Sequence, residues 1–417
     1  MNHVIKIFSI TVLMVVSFFF LSILTVMIPK ESIKNHVQES MDIIEKEGIK
    51  YRIGDIFFFR LDNFTDALMI NIAMGVNDSQ PVKSAIQNTY YLQNENSSII
   101  KATLDIADDN YQEVYAVPYP RYWHGYQLIL RPLLYVTNYK GIRIINSCCF
   151  VGLLCIIFAI LIKRKEWQLL VALMITFLLM NIWIVPLSIQ FSISFYIALL
   201  GIVFLLYKRI VHFNHLIVFF TIIGGLTSYF DLLSVPLLTL CLPLIVCLYL
   251  SSENNNDKYK YMVYYSLCWF FSYSIVWISK WVIAHFIVGY PIQDAIQQAI
   301  LRVSTEYDGF DMSIKGIIDY LMNYPSLLMI GIVMLLIFMI MNIFLCIRNK
   351  KIYQSESYLL VIALMPVIWC LVLRNHSIIH IWFVWRIFTI SVVAYTLFIL
   401  RYFGLFKRNT HLFSKSS

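Results

Sequence analysis

The stretch LRNHSIIHIWFVWRIF carries four basic or titratable side chains in an otherwise apolar part of the chain: Arg374, His376, His380 and Arg386. Such groups are costly in contact with lipid, so each is expected to face a polar cavity or a bound partner. The planar guanidinium of arginine binds phosphate through two parallel hydrogen bonds. Arg386 lies well inside its apolar run and therefore predicts a phosphate-binding site, whereas Arg374 can extend its side chain to the membrane surface.

The two histidines of this stretch have a spacing that metal sites use. His376 and His380 are four residues apart, so they share one face if the segment is helical. No acidic third ligand is adjacent, and no H-E-x-x-H motif occurs. We therefore favour histidines that hydrogen-bond in a polar cavity and assign no metal ligand, with a divalent metal as the alternative.

A second group of polar residues precedes the apolar run that starts near residue 144. The motif RYWHGY places a cation, three aromatic rings and an imidazole within six residues, and an amphipathic segment with Arg131 follows it. Stacking rings beside hydrogen-bonding groups suit a carbohydrate or an amphipathic substrate, although membrane interfaces also favour Trp and Tyr. The candidate substrate-binding residues here are Arg121, Tyr122, Trp123, His124 and Arg131.

Two carboxylates and a lysine complete the candidates. Asp66 stands at the head of the short apolar run DALMINIAMGV, where a carboxylate either has a functional role or serves as a helix N-cap. Asp231, in SYFDLLSVP, binds substrate or caps a turn, and Lys280 lies near the end of an apolar run. The acidic stretch STEYDGFD (304–311) can bind a cation, but a polar loop explains it as well and is favoured.

The composition indicates that a bundle of membrane helices positions these residues. Of 417 residues, 60% are hydrophobic and only 13% are charged, with a mean hydropathy of +0.73. A soluble domain of this size does not have such a composition. Apolar runs long enough to cross a hydrocarbon core predict about ten transmembrane helices. These spans are 5–28, 144–162, 168–187, 190–207, 214–230, 236–250, 261–287, 326–347, 357–373 and 380–403.

Lysine and arginine follow every even-numbered span, and this pattern sets the orientation. The basic positions are 163–165, 208–209, 258 and 260, 348, 350 and 351, and 407–408. Basic loops stay in the cytoplasm, so both termini are predicted to be cytoplasmic. The net charge of +8 is spread over these loops, which argues against a nucleic-acid partner. The predicted fold is an all-α polytopic membrane protein with one large outer loop between helices 1 and 2. Its parts are a first transmembrane helix (5–28), an extracytoplasmic loop domain (29–143), a multi-helix transmembrane domain (144–403) and a cytoplasmic tail (404–417).

The order of these parts resembles that of the GT-C superfamily of membrane glycosyltransferases. One span is followed by a large outer loop with an acidic residue, and then by many further spans with polar clusters on the outer side. The resemblance implies transfer of a sugar from a polyprenyl-phosphate donor to a glycan or lipid-linked acceptor in cell-envelope or surface polysaccharide assembly. It implies a catalytic acid in the first outer loop, here Asp66, with Asp55 and Asp62 as competitors. The departing phosphate would be stabilised by Arg374, His376, His380, Arg386 and Lys280. The substrate-binding residues would be the RYWHGY group, Arg131 and Asp231.

Three other functions remain as alternatives. A polysaccharide polymerase or ligase also uses lipid-linked glycans, but such proteins usually carry their large outer loop late in the chain. A membrane O-acyltransferase needs a catalytic histidine, for which His376 or His380 is available. A flippase or transporter for lipid-linked sugar is expected to have broken helices and midplane polar groups, and Gly224–Gly225 is the one sign of a break in the sequence.

Overall fold

The computed structural model describes residues 3–55, 59–94, 96–208, 212–251, 255–307, 310–311, 313, 315 and 340–406. Helices make up most of this part of the chain. They are α1 (His3–Thr25), α2 (Lys34–Glu47), α3 (Asn63–Met74), α4 (Pro81–Gln87), α5 (Ile99–Ala107), α6 (Gln127–Val136), α7 (Tyr139–Lys163), α8 (Trp167–Leu179), α9 (Ile189–Lys208), α10 (Phe213–Phe230), α11 (Leu237–Leu250), α12 (Asn255–Val288), α13 (Ile292–Val303), α14 (Lys350–Val372), α15 (Arg374–Ile379), α16 (Ile381–Val384) and α17 (Thr389–Tyr402). Residues 340–348 are also helical. The strands form two antiparallel pairs, β1 (Tyr90–Gln93) with β2 (Val114–Val117) and β3 (Glu306–Tyr307) with β4 (Phe310–Asp311).

Seven helical segments of the described chain are long and apolar enough to cross a membrane. They are His3–Thr25, Tyr139–Lys163, Ile189–Lys208, Phe213–Phe230, Asp257–Val288, Lys350–Val372 and Ile381–Tyr402. Each coincides with one of the predicted spans, so the protein is an all-α membrane protein. Most of the predicted span 326–347 lies outside the described residues.

The two remaining predicted spans correspond to shorter helices. The span predicted at 168–187 is interrupted, because α8 ends at Leu179 and Asn181 adopts a left-handed φ of 50°. A 3-10 helix, Ile182–Leu187, then leads into α9. The span predicted at 236–250 is α11, a 14-residue helix that starts after Pro236 and is buried along almost its whole length.

Residues 29–138, here called the loop segment, fold into helices α2–α6 and the strand pair β1–β2. One face of α2 is buried because Val37, Met41 and Ile44 recur at helical spacing. These side chains pack with Ile70 of α3 and Ile106 of α5 in a shared core. The loop segment therefore has a hydrophobic core, which continues into the bundle through Tyr139, Ile142, Leu232 and Leu233. Residues 139–143, predicted to belong to it, form the first turn and a half of α7.

The tightest packing between spans occurs where α10 meets α12. A Cβ atom on Gly224 would lie 2.2 Å from the carbonyl oxygen of Trp269, so only glycine permits this approach. Helix α10 runs without interruption through Gly224 and Gly225. The interpretation of this pair as a helix break is therefore wrong: the glycines serve close packing.

The two ends of the bundle differ in composition. Helices α7 and α9 both begin beside the loop segment and end at Lys163 and Lys208. We call the end next to residues 29–138 the loop side, and the opposite end the basic side. Which side faces the cytoplasm stays a prediction.

Candidate functional site

Asp66 joins the loop segment to the start of α9. The fully buried carboxylate accepts hydrogen bonds from the Tyr139 hydroxyl at 2.5 Å and from the Ser188 hydroxyl at 3.1 Å. It also accepts from the backbone N–H groups of Ile189 at 3.0 Å and Gln190 at 2.9 Å. These N–H groups open α9 and have no partner inside the helix. Burial raises the pKa of Asp66 to about 6, against the opposing effect of these donors.

Asp66 belongs to a wider polar network centred on Arg143 of α7. The Arg143 guanidinium pairs with Glu47 at 2.6 Å and donates to Asn63 at 3.1 Å. Its Nε donates to the Leu187 carbonyl oxygen at 2.8 Å. The network thus connects α2, α3, α7 and the segment before α9, and its many internal hydrogen bonds are typical of a structural junction.

A cation-rich cluster lies at the other end of the same turn of α3. Asp62, the N-cap of α3, accepts from the Thr65 N–H at 3.2 Å and from its hydroxyl at 2.8 Å. Its carboxylate interacts with the charges of Arg60 and Arg386 and with Trp382. Burial raises the pKa of Asp62. We call Arg60, Asp62, Trp382 and Arg386 the arginine site.

Arg386 is the most unusual member of the arginine site. It is 2% exposed and lies in a 3-10 turn, Trp385–Phe388, between α16 and α17. Its Nη1 donates to the Trp382 carbonyl oxygen at 3.0 Å, and its guanidinium carbon lies 3.9 Å from the Phe191 ring centroid. Nε and Nη2 find no hydrogen-bond partner among the described residues. Buried donors left unpaired are destabilising, so this guanidinium has the properties of an anion-binding group.

Two further side chains with nitrogen donors contact Trp382 of the arginine site. The Arg60 guanidinium lies over the Trp382 ring at 4.4 Å, and the His380 ring meets Trp382 edge-on at 5.3 Å. The Arg60 Nε, the His380 Nδ1 and the Arg374 Nε have no hydrogen-bond partner in the described part of the chain. Burial lowers the pKa of His380 to about 4. The sequence stretch that predicted a phosphate site thus contributes three side chains, each with a nitrogen that has no partner in the described part of the chain. These are Arg374, His380 and Arg386.

His376 differs from His380 in being fully hydrogen-bonded. Its Nε2 lies 2.8 Å from the Leu233 carbonyl oxygen and must donate, whereas Nδ1 lies 3.3 Å from Arg302 Nη1 and must accept. The ring is therefore neutral, and burial together with His380 and Arg302 lowers its pKa well below the ordinary value. Across the residues that the structure describes, no group of three His, Cys, Asp or Glu side chains is placed to hold a metal ion.

The structure places the RYWHGY motif against α12. Trp123 donates to the Val276 carbonyl oxygen at 2.7 Å, and Tyr122 stacks on Trp277 with ring centroids 6.2 Å apart. The Arg121 carbonyl oxygen accepts from the indoles of Trp277 and Trp281, at 2.9 and 3.1 Å. Here the motif docks the loop segment onto the bundle.

His124 and Arg131 are likewise engaged in internal contacts. The His124 ring nitrogens lie 2.9 Å from the Tyr126 hydroxyl and 2.9 Å from the Tyr119 carbonyl oxygen, and burial lowers the pKa of His124 to about 3. The guanidinium of Arg131 donates to the carbonyl oxygens of Thr25, Ile28 and Ala73, near the C-terminal ends of α1 and α3. These carbonyls are the unpaired acceptors that helix ends leave.

Asp231 and Lys280 lie in separate environments. Asp231 accepts from the Ser194 hydroxyl at 2.8 Å and from the Ser234 N–H at 2.9 Å, and burial raises its pKa to about 6. Lys280 contacts α4 and Trp123 rather than the arginine site.

Sequence reasoning assigned no role to Arg60 or Trp382. For Arg60 the available signal was the spacing in RLDNFTD, which places this arginine two residues before an N-cap carboxylate.

A long apolar groove of about 1260 Å³ runs between α6, α7, α9 and α10. Its wall on α9 extends from Ile189 to Phe204, about 22 Å along the helix axis. Phe191, which contacts Arg386, is on the opposite face of α9.

Comparison of the chain with protein families, curated proteins and solved structures finds no match. The chemistry of the residues themselves is therefore the basis for assigning a function.

Proposed function

We propose that the protein is a GT-C-like membrane glycosyltransferase. It transfers a sugar from a polyprenyl-phosphate donor to a glycan or lipid-linked acceptor in cell-envelope or surface polysaccharide assembly. The observation that carries this proposal is the buried Arg386 guanidinium, which has a carboxylate nearby and two nitrogens without a partner among the residues that the structure describes. A phosphate ester supplies the acceptor oxygens that these nitrogens lack. In the predicted orientation, the arginine site faces the extracytoplasmic side of the cell membrane and both termini are cytoplasmic.

Asp62 is the better placed general base of the two neighbouring carboxylates. It takes the proton of the acceptor hydroxyl while that oxygen attacks the anomeric carbon, and the bond from this carbon to the phosphate oxygen breaks. The departing phosphate takes the electron pair, and Arg386, with Arg60 and His380 nearby, stabilises its charge. Asp66 accepts four hydrogen bonds from the protein, which leaves it less free for proton transfer.

The apolar groove supports a long-chain lipid donor. The groove is about 22 Å long, which exceeds the thickness of one leaflet, half of a hydrocarbon core of roughly 30 Å. A polyprenyl chain is long and flexible enough to occupy such a length. The groove begins at Ile189, and the arginine site contacts Phe191 on the opposite face of the same first turn of α9, so a lipid donor that uses both passes around the N-terminal end of this helix.

The proposal is tested by turnover of purified protein with radiolabelled polyprenyl-phosphate sugars and a lipid-glycan acceptor. The variants are Arg386→Met and Asp62→Asn, with Arg348→Met as the control because Arg348 is exposed on the basic side. Release of polyprenyl phosphate is expected from the wild type and the control, and at least 100-fold less from the two site variants. Arg386→Met should leave the melting temperature near that of the wild type, because the loss of two unpaired buried donors offsets the loss of the interactions with Asp62 and Phe191.

Other outcomes point elsewhere. Release that survives both substitutions would contradict the arginine site as the transfer centre. Lengthening of lipid-linked oligosaccharides without release of monosaccharide donor phosphate would indicate a polymerase or ligase. Movement of the labelled lipid across reconstituted vesicles, with no transfer, would indicate a flippase.

A further inference from the structure

A second, polar cavity lies on the loop side, apart from the arginine site. Its volume is about 200 Å³, and it is bounded by the ends of α1 and α3, by α4 and by the start of α6. It holds roughly seven water volumes, at ~30 Å³ for each molecule in the liquid. A single sugar or headgroup therefore fits, whereas an extended chain does not.

The cavity is cationic. Lys83 and Arg131 line it, and none of its lining residues is acidic. Lys83 is exposed and forms no ion pair in the described part of the chain. Asp78 interacts with Arg131 from outside the lining, where it accepts from the Lys30 N–H. The charge around the cavity therefore favours an anionic ligand.

A buried lysine lies behind the cavity wall. The fully buried Lys280 donates to the Ala85 carbonyl oxygen at 3.3 Å, and its Nζ faces the Trp123 ring at 5.3 Å. Ala85 and Trp123 both line the cavity. An ammonium group has three N–H donors, and one carbonyl oxygen at 3.3 Å and a ring face leave Lys280 short of partners, so an anion bound in the cavity would favour its charged form.

The cavity wall also offers uncharged polar groups. The side chains of Gln80, Gln87 and Asn77 line it. Gln127, 5% exposed, donates through Nε2 to the Met69 carbonyl oxygen at 2.8 Å, while its Oε1 has no partner among the described residues. Amide groups that donate and accept suit the hydroxyl groups of a sugar.

We propose that this cavity binds one sugar unit that carries a negative charge, either a carboxylate or a phosphate. Its use as an acceptor subsite rests on the proposed transferase function. Ile72 lines the cavity ten residues after Asp62, so the two are about 15 Å apart along α3. The charged unit is therefore remote from the reacting hydroxyl, and the acceptor is longer than one sugar. Binding of a remote unit helps to position the reacting one.

The test is calorimetric binding to the purified full-length protein in detergent. The two probes are oligosaccharides that are identical except that one ends in glucuronic acid and the other in glucose. The acidic probe should bind at least tenfold more tightly than the neutral one. Lys83→Glu should abolish this preference, whereas Lys101→Glu, an exposed charge reversal on α5, should leave it unchanged.

Equal binding of the two probes, or a preference that survives Lys83→Glu, would overturn the proposal. Inorganic phosphate or anionic phospholipid vesicles that compete as strongly as the acidic probe would overturn its sugar component. Arg386→Met should bind the acidic probe normally, because the cavity does not include Arg386. Failure of binding with turnover intact would contradict only this subsite, and binding without turnover would contradict only the transferase.

Discussion

Asp62 and Asp66 are separated by one turn of α3 and differ in what holds them. Asp62 accepts hydrogen bonds from Thr65 and interacts with Trp382 and with two arginines. Asp66 is bonded by two hydroxyls and by two backbone N–H groups that open α9. The environment of Asp62 suits chemistry with a bound anion, whereas that of Asp66 suits the attachment of one helix to another.

The first residue-scale prediction separates the roles of these carboxylates. Asp66→Asn should lower stability by about 1–3 kcal/mol, because the new NH2 group faces an N–H donor and leaves it unpaired. Asp62→Asn should leave the melting temperature near that of the wild type, because Asn caps helices about as well as Asp. Thermal unfolding in detergent, read beside turnover, checks both. Stability loss in Asp62→Asn alone would reverse the assignment.

Individual residues differ in how much of their environment the sequence indicates. Arg386 was predicted to face a cavity or partner, because an intramembrane guanidinium cannot be left in lipid. Its two unpaired nitrogens agree with that expectation. The burial of Trp123 against Val276 was not predictable, because RYWHGY has no periodicity and its partner lies about 150 residues later in the chain. The roles of Arg60 and Trp382 depend on a similar long-range contact.

At the scale of elements, hydropathy predicted helices well and their interruptions poorly. Seven spans follow from runs of apolar residues. The end of α8 depends instead on one residue, Asn181, whose left-handed backbone the hydropathy pattern does not reveal. Gly224–Gly225 shows the opposite error, since a pair that is compatible with a break serves close packing with α12.

The element-scale prediction concerns this packing. Gly224→Ala should destabilise the protein by about 1–3 kcal/mol, because the added methyl group forces α10 away from the Trp269 backbone. Gly152→Ala in α7 is the matched control, because its added Cβ would have no atom within 4 Å. The control should be neutral or slightly stabilising, as alanine favours helix more than glycine does. The measurement is the melting temperature of both variants in the same detergent. Equal values for the two variants would contradict the packing role of Gly224.

At the scale of the whole molecule, buried polar groups at the junction between the loop segment and the spans add to the apolar core of the bundle. Asp231 and His380 lie on this side of the bundle, and burial shifts both toward their neutral forms. Burial raises the pKa of Asp231 to about 6, whereas it lowers the pKa of His380 to about 4. Their effects on the pH dependence of stability are therefore opposite in sign.

The last prediction uses this opposition. Between about pH 4 and 6 the folded protein holds the Asp231 proton that the unfolded chain has lost, so this group stabilises the fold less as pH rises. His380 is neutral in the folded protein and charged in the unfolded chain between about pH 4 and 6.5, so its contribution grows as pH rises. The melting-temperature deficit of Asp231→Asn should therefore narrow from pH 4 to 7, and that of His380→Gln should widen. The corresponding differences in the free energy of unfolding change by on the order of 2–3 kcal/mol, at 1.36 kcal/mol per pKa unit. Parallel deficits at all pH values would mean that neither group is held neutral by burial at this junction.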